Sequence, residues 1–436
     1  MQRVAVVAAD EDLQQVLVEL GRAGQVELDA SRPSPDEEPG GETPLEQVVQ
    51  RMVRSGPVAA TTGWCPVQAV SPLAAGLARR GGVLVRLPAP AGTEPPTLIA
   101  GHGPARAFQP LVDTYGTLPY RDINPATFAG LAYVAMFGMM FGDVGHGLLL
   151  LGAGLALRAG RPARLAGWSR LAPFAIGCGV SSALGGLLYG EAFGPTGLVP
   201  VLWQRPLDHP TTLLGAALIV GAVLLAASYA IGIANRWREA GPLGAVLAVS
   251  GVAGAALYAG LGTAVLGVLL HRGGVVVAGG VVAGAGLAVG FAGCFAAAGG
   301  RGTGLLQATV EMFDATLRIG SNTVSFTRLA AFGMTDAALG QVIWDGTVSI
   351  WHRGAALWAA AGLLFVVGHA AAFALEGLVA GVQALRLEYY EMFSRVLVTE
   401  GRPFRPWRLP RGPSGGPPPG EGSVPFHDWE ATCSPG

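Results

Sequence analysis

Ser321, Ser325 and Arg328 stand at i, i+4 and i+7 in Ser321-Asn-Thr-Val-Ser-Phe-Thr-Arg-Leu-Ala-Ala-Phe. That spacing puts three polar side chains on one face of a helix. Apolar residues follow Arg328 for several turns, so the polar face must line water or meet a polar partner at membrane depth. The competing reading is an Arg that snorkels to a headgroup. Arg386 lies in Gln383-Ala-Leu-Arg-Leu-Glu-Tyr-Tyr-Glu-Met-Phe. Either it belongs to a second such face, or the helix has already left the membrane and Arg386 and Glu388 are solvated. Glu376 precedes Arg386 by ten residues, about 15 Å along a helix and about 80° around it. A lone carboxyl in an apolar stretch is a proton-relay candidate, or a hydrogen-bond anchor between helices. Asp143, among Gly142, Gly145 and Gly147, either caps a tight turn or lies on an ion path. Glu191 reads as a solvated boundary residue, and His369 as a satisfied core residue.

These groups need elements to hold them, and composition indicates which. The chain has 436 residues, 51% hydrophobic and 13% charged, with 67 Gly. The charged share is about half that of a soluble domain. A single water-soluble globule is excluded, and so are disorder and collagen. All 28 basic residues are Arg, which removes a P-loop nucleotide site and a Schiff-base enzyme. The net charge of -1 argues against a nucleic-acid partner. Cys65, Cys178, Cys294 and Cys433 form no CxxC pair, so neither a zinc site nor a disulfide framework is expected. No metal and no cofactor are implied.

Residues 1–124 hold 10 Arg and 14 acids, whereas 125–398 hold 14 Arg and 11 acids over more than twice the length. Three regions result: a polar domain over 1–124, a transmembrane domain over 125–398, and a Pro/Gly-rich tail over 399–436. Val4–Ala9 is too short for a signal-peptide core and acids follow it. The first domain reads as strand Arg3–Ala8, helix Glu11–Gly21 and strand Gln25–Leu28. After a turn-rich acidic stretch, Ser31–Thr43, come strand Val58–Thr61, helix Pro72–Arg80 and strand Val83–Leu87. Two β-α-β halves predict a small α+β ferredoxin-like domain. It lacks a catalytic cluster, so a structural or docking role is expected.

Apolar runs near 20 residues predict spans at Ala172–Leu188, Thr212–Ile233, Leu243–Leu270, Gly274–Ala298, Ile319–Val342 and Ala355–Leu397. Ala126–Leu157 is one long helix or two short spans reversing at Gly142–Gly147. Loop charge favours two. Arg158, Arg161, Arg164 and Arg170, then Arg236 and Arg238, then Arg301 and Arg318 fall on alternate loops, against Arg205, Arg272 and Arg353 between them. Positive-inside bias makes the first set cytoplasmic. Arg395, Arg402, Arg405, Arg408 and Arg411 come after the last span. The expected fold class is a mostly α-helical polytopic membrane protein. It has about eight spans, the last two long and tilted, and both termini are cytoplasmic. Gly and Ala at small-xxx-small spacing, as in Gly138–Gly142, predict tight helix packing.

The same residues carry a family resemblance. Tyr115-Gly-Thr-Leu-Pro-Tyr-Arg-Asp-Ile-Asn-Pro, then Phe137-Gly-Met-Met-Phe-Gly-Asp-Val-Gly-His-Gly, then Leu187-Leu-Tyr-Gly-Glu-Ala-Phe-Gly appear in order. The two motifs around Arg328 and Arg386 are next, and Gly401-Arg-Pro-Phe-Arg-Pro comes last. Together they resemble the membrane subunit I, or a, of V-type and A-type rotary ATPases. The resemblance implies a non-catalytic stator subunit that moves protons or sodium ions between two half-channels against a rotating proteolipid ring. Its partners would be proteolipid ring subunits, other stator or central-stalk subunits, and membrane lipid. By the same resemblance Arg328 and Arg386 face the ring carboxylate. Glu376 would line the non-cytoplasmic half-channel. Asp314 and Ser325 are candidates for the cytoplasmic side, and Glu391 matches a family position. Asp336 and Gln383 stand where many relatives carry His. Family members usually have a long coiled-coil arm in the N-terminal domain, and here only 29 residues separate the two β-α-β halves. The alternative is a standalone transporter or scaffold derived from that fold.

Overall fold

The computed structural model describes residues 1–29, 45–90, 93–98, 104–160, 167–169, 171–300, 302–396 and 401–409. The stretch Ser31–Thr43, Arg161, Arg164, Arg170, Arg301, Arg411 and Cys433 lie outside the described residues. The chain divides into two compact units, one of Met1–Leu98 with the residues from Arg402 onward, the other of Ile99–Gly401.

The first unit runs β1 (Gln2–Ala9), α1 (Leu13–Ala23), β2 (Glu27–Leu28), α2 (Leu45–Gln50), β3 (Val53–Ser55), β4 (Val58–Cys65), α3 (Val67–Ala78) and β5 (Gly82–Leu87). Period-2 burial in β1 turns Val4, Val6 and Ala8 inward. They meet Leu13, Val16, Leu17 and Leu20 in one core. The sheet order is β2-β4-β1-β5 with antiparallel neighbours, and β3 forms a hairpin on β4. With β3 set aside, this is the split β-α-β arrangement that the sequence predicts. Helix α3 starts five residues earlier than expected, with Pro72 inside it.

Two boundaries differ from those drawn from charge. The first compact unit ends at Leu98, and residues 402–409 belong to it, whereas charge alone drew boundaries after 124 and 398. Hydrogen bonding is the reason. Thr97 N–H donates to the Arg402 carbonyl at 2.7 Å, Phe404 N–H to the Thr97 carbonyl at 3.0 Å, and Trp407 N–H to the Val26 carbonyl at 2.8 Å. Glu27 pairs with Arg402 at 2.8 Å and accepts from Arg405 N–H at 3.0 Å. Trp407 is buried in the α1–β4 core.

The second unit is helical: α4 (Pro104–Tyr115), α5 (Ala126–Met140), α6 (Val144–Arg158), α7 (Ala172–Tyr189), α8 (Pro210–Leu247), α9 (Val252–Leu269), α10 (Gly273–Ala297), α11 (Gly302–Ser325), α12 (Thr327–Trp351) and α13 (Trp358–Leu387). A π-helical turn, Glu388–Phe393, and one α turn, Ser394–Val396, continue α13. Among the described residues five segments are long and apolar enough to cross a membrane: α7, α8, α9, α10 and Ala355–Val396. The chain is a multi-pass membrane protein. The count of eight is not reached on length and composition. Helices α5 and α6 have 15 residues each, about 22 Å against a ~30 Å core. Helix α12 carries Arg328, Asp336 and Asp345.

The region 126–157 is a helix pair reversing at Phe141–Asp143, not one helix. The single span drawn over Leu243–Leu270 is broken: α8 runs through a kink at Gly241 (φ 73°), followed by Pro242, to Leu247, and α9 starts at Val252. The left-handed backbone at Gly241 and the missing N–H of Pro242 kink α8 just ahead of that break, which itself falls at 248–251. The span drawn over Ile319–Val342 is also interrupted, at Phe326 between α11 and α12. Phe326 is fully buried and lies against Gly221 of α8, where a Cβ would collide with its ring.

Candidate functional site

Helices α12 and α13 run antiparallel, joined at 352–357. Gly368 lies against Ile343 and Gly346 against Leu364. This register brings Asp336 to Glu376, and Arg328 to the turn after Arg386. Two polar centres result, about 12 Å apart along α12 at ~1.5 Å per residue.

The first centre is built on the two helix irregularities. Ser325 ends α11, Arg328 opens α12, Arg386 sits in the last turn of α13, and Glu391 lies in the π turn. Ser325, Arg328 and Arg386 lie within electrostatic reach of the Glu391 carboxylate. Arg386 is exposed, whereas Glu391 is buried. Arg328 Nη1, Gln383 Oε1 and Glu391 Oε2 are buried without a partner among the described residues. The site thus gathers two guanidiniums near one carboxylate, and Arg328 Nη1 keeps donor capacity for a further anion. A single extra residue in the π turn rotates the side chains beyond it, a device common at functional sites.

The second centre is a carboxyl cluster. Glu376, Asp143 and Glu191 lie within electrostatic reach of Asp336, which is buried in α12. Glu376 Oε1 is buried without a partner among the described residues. Asp143 caps α6: its carboxylate accepts from His146 N–H at 2.8 Å and from Gly194 N–H at 3.0 Å. Its carbonyl accepts from the Ser182 hydroxyl at 3.2 Å. Cβ atoms at Gly142, Gly145 and Gly147 would strike Tyr189, Phe193 and the Ala183 backbone. The hairpin can therefore close only on glycine at these positions.

The sequence readings fare unevenly. Arg328, Arg386, Ser325 and Glu391 come together, and so do Glu376, Asp336 and Asp143. Asp314 does not join either centre; it pairs with Arg318 on the exposed face of α11. Glu388 is not solvated: it is fully buried with both carboxyl oxygens unpartnered among the described residues. Glu191 is buried rather than solvated at a boundary. His369 is buried, but neither ring nitrogen has a partner among the described residues. His146 escaped notice as a site residue. Its ring stacks on Phe141 and lies 5.3 Å from His369. A polar residue three positions after an Asp N-cap was the available signal.

A family model described as the V-type ATPase 116kDa subunit family matches residues 50–163. The A-type ATP synthase subunit I of Halobacterium salinarum is 28% identical over 73% of this chain and 52% of its own length. That of Aeropyrum pernix is 29% identical over 93% of this chain and 61% of its own. The chain is thus similar to A-type ATP synthase subunit I proteins along most of its length. The likeness extends to the human V-type proton ATPase 116 kDa subunit a 3, 36% identical over 25% of this chain and 14% of that protein. The chain spans little more than half the length of these archaeal subunit I relatives.

Proposed function

We propose that this chain is the membrane-embedded stator subunit of a rotary ATPase and carries protons or sodium ions past a ring of proteolipid subunits. The observation that supports this reading best is the first centre: two arginines, from helices with different irregularities, lie within electrostatic reach of one buried carboxylate, and Arg328 Nη1 is buried without a partner among the described residues. A passing carboxylate would be favoured in its ionised form there, so its ion must leave. Arg keeps its charge where hydration is poor, which Lys does not. The fixed charges also block a direct leak between the two sides. In this reading the cluster of Asp336, Glu376 and Asp143 lines the non-cytoplasmic half-channel. Ser325 and Asp314 serve the cytoplasmic one. The α5–α6 hairpin and α12 join the five long segments to make eight spans, with both ends of the chain in the cytoplasm.

The experiment is Arg328→Ala in the native complex. ATP-driven ion uptake into vesicles is expected to fall to background while the ring and ATPase subunits still copurify. Normal uptake in the variant would remove the role assigned to Arg328. Copurification of the wild-type chain with no ring or ATPase subunit would point instead to a standalone transporter.

A further inference from the structure

A cavity of about 550 Å³ lies within the second unit, away from the carboxyl cluster. The end of α8, the break before α9, the end of α10, the middle of α11 and the turns after α13 enclose it. Three arginines line it: Arg236, Arg318 and Arg395. Two are already matched. Arg236 pairs with Glu239 at 2.9 Å and reaches the Ser250 hydroxyl at 3.1 Å, and Arg318 pairs with Asp314. Arg395 is different. It is 8% exposed and stacks over Tyr229 at 5.1 Å. No carboxylate pairs with it among the described residues. A buried guanidinium without a counter-anion is strongly unfavourable, and a ring face supplies only part of what it needs. The one carboxylate on the wall, Glu311, is exposed.

We infer that this cavity binds a phosphate group on Arg395, either the headgroup of an anionic phospholipid or free phosphate. Guanidinium is the side chain suited to bidentate phosphate binding. Ser250 and Asn322, also on the wall, supply neutral donors. The volume exceeds that of an ion alone and suits a glycerophosphate. Leu247, Val249 and Ala297 give the remaining wall an apolar lining. The depth also fits. The apolar runs of α8 and α10 end at this level, and Trp237 beside it is 57% exposed, as at a headgroup boundary. This inference does not rest on the reading of Arg328 and Arg386.

The test uses the full chain in nanodiscs of phosphatidylcholine with roughly a fifth phosphatidylglycerol. Native mass spectrometry then identifies the lipid retained. A second arm monitors thermal unfolding in detergent as inorganic phosphate is added. The expected result is selective retention of phosphatidylglycerol, about tenfold weaker in Arg395→Gln and in Arg236→Gln. Arg238→Gln, which does not line the cavity, should leave it unchanged. A phosphate-dependent rise in melting temperature without lipid retention, lost in the same variants, assigns the site to free phosphate. Equal retention of both lipids with no response to phosphate overturns the inference, as does selectivity unchanged in both variants. Should Arg395→Gln not fold, Arg236→Gln decides.

Discussion

Asp143 illustrates how much one buried side chain can hold. It is 3% exposed, and its two carboxylate oxygens answer backbone N–H groups from two segments, His146 and Gly194. Asp143→Ala would leave both donors buried and unpaired, at about 1–3 kcal/mol each. Asn keeps one acceptor and should lose roughly half as much. Denaturant unfolding of the full chain in detergent checks this, and equal stability of the Ala variant would refute the capping role. Asp336 stood out only through the family resemblance, whereas Asp143, Arg328 and Glu376 were legible in the sequence because charge at membrane depth is costly and so marks itself. Their partners were not. Glu391 comes within electrostatic reach of Arg328 only through the antiparallel register of α12 on α13, and no local spacing encodes that register. Glu388, left between two readings, proves buried, and His369 is a core residue as read but without a partner among the described residues; burial of one face depends on which helix covers it.

Helix packing here is governed by glycine. In the α6–α7 pair, a Cβ on Gly186 would meet the Val144 and Asp143 backbone, and one on Gly179 would meet the Leu151 backbone. Close backbone approach is how membrane helices associate without a hydrophobic drive. Gly186→Ala must push backbone rather than side chain, so a loss of about 1–3 kcal/mol is expected. Gly262 of α9 has nothing within 4 Å, and Gly262→Ala should be neutral or gain up to ~1 kcal/mol in helix propensity. Melting temperatures of the two variants should move in opposite directions or differ clearly. If they fall equally, close packing is not what the α6–α7 glycines provide. Small-residue spacing thus announced tight packing correctly, but the breaks in helices were only half legible. Gly241-Pro242 is a visible breaker. The interruption at Phe326 and the π turn at Glu388–Phe393 carry no Gly or Pro, and arise from packing against α8 and α5.

At the scale of the molecule, the decisive feature is that the first unit is built from both ends of the described chain. Thr97 and Arg402 are hydrogen-bonded neighbours, and Trp407 completes the core around α1. On the proposed topology, everything between 99 and 401 leaves one side of the membrane and returns to it. That proposal calls for an even number of crossings, whereas the long apolar segments among the described residues number five. Helix α12, at 25 residues, is about 37 Å long and would supply the missing crossing despite its charges. The α5–α6 hairpin would bring the chain back to its starting side. Arg158, Arg236, Arg318 and Arg395 would then share one side, and Arg205, Arg272 and Arg353 the other, in keeping with positive-inside bias. In a Cys433→Ser background, single cysteines at Gly56, Gly160 and Gly299 should react with a membrane-impermeant maleimide from one side only. Cysteines at His271 and Gly354 should react only from the other. The three native cysteines Cys65, Cys178 and Cys294 are buried and should stay silent. Labelling of Gly56→Cys and Gly160→Cys from opposite sides would break the parity argument. The eight-span arrangement would fall with it, while the geometry of each centre within the second unit would stand.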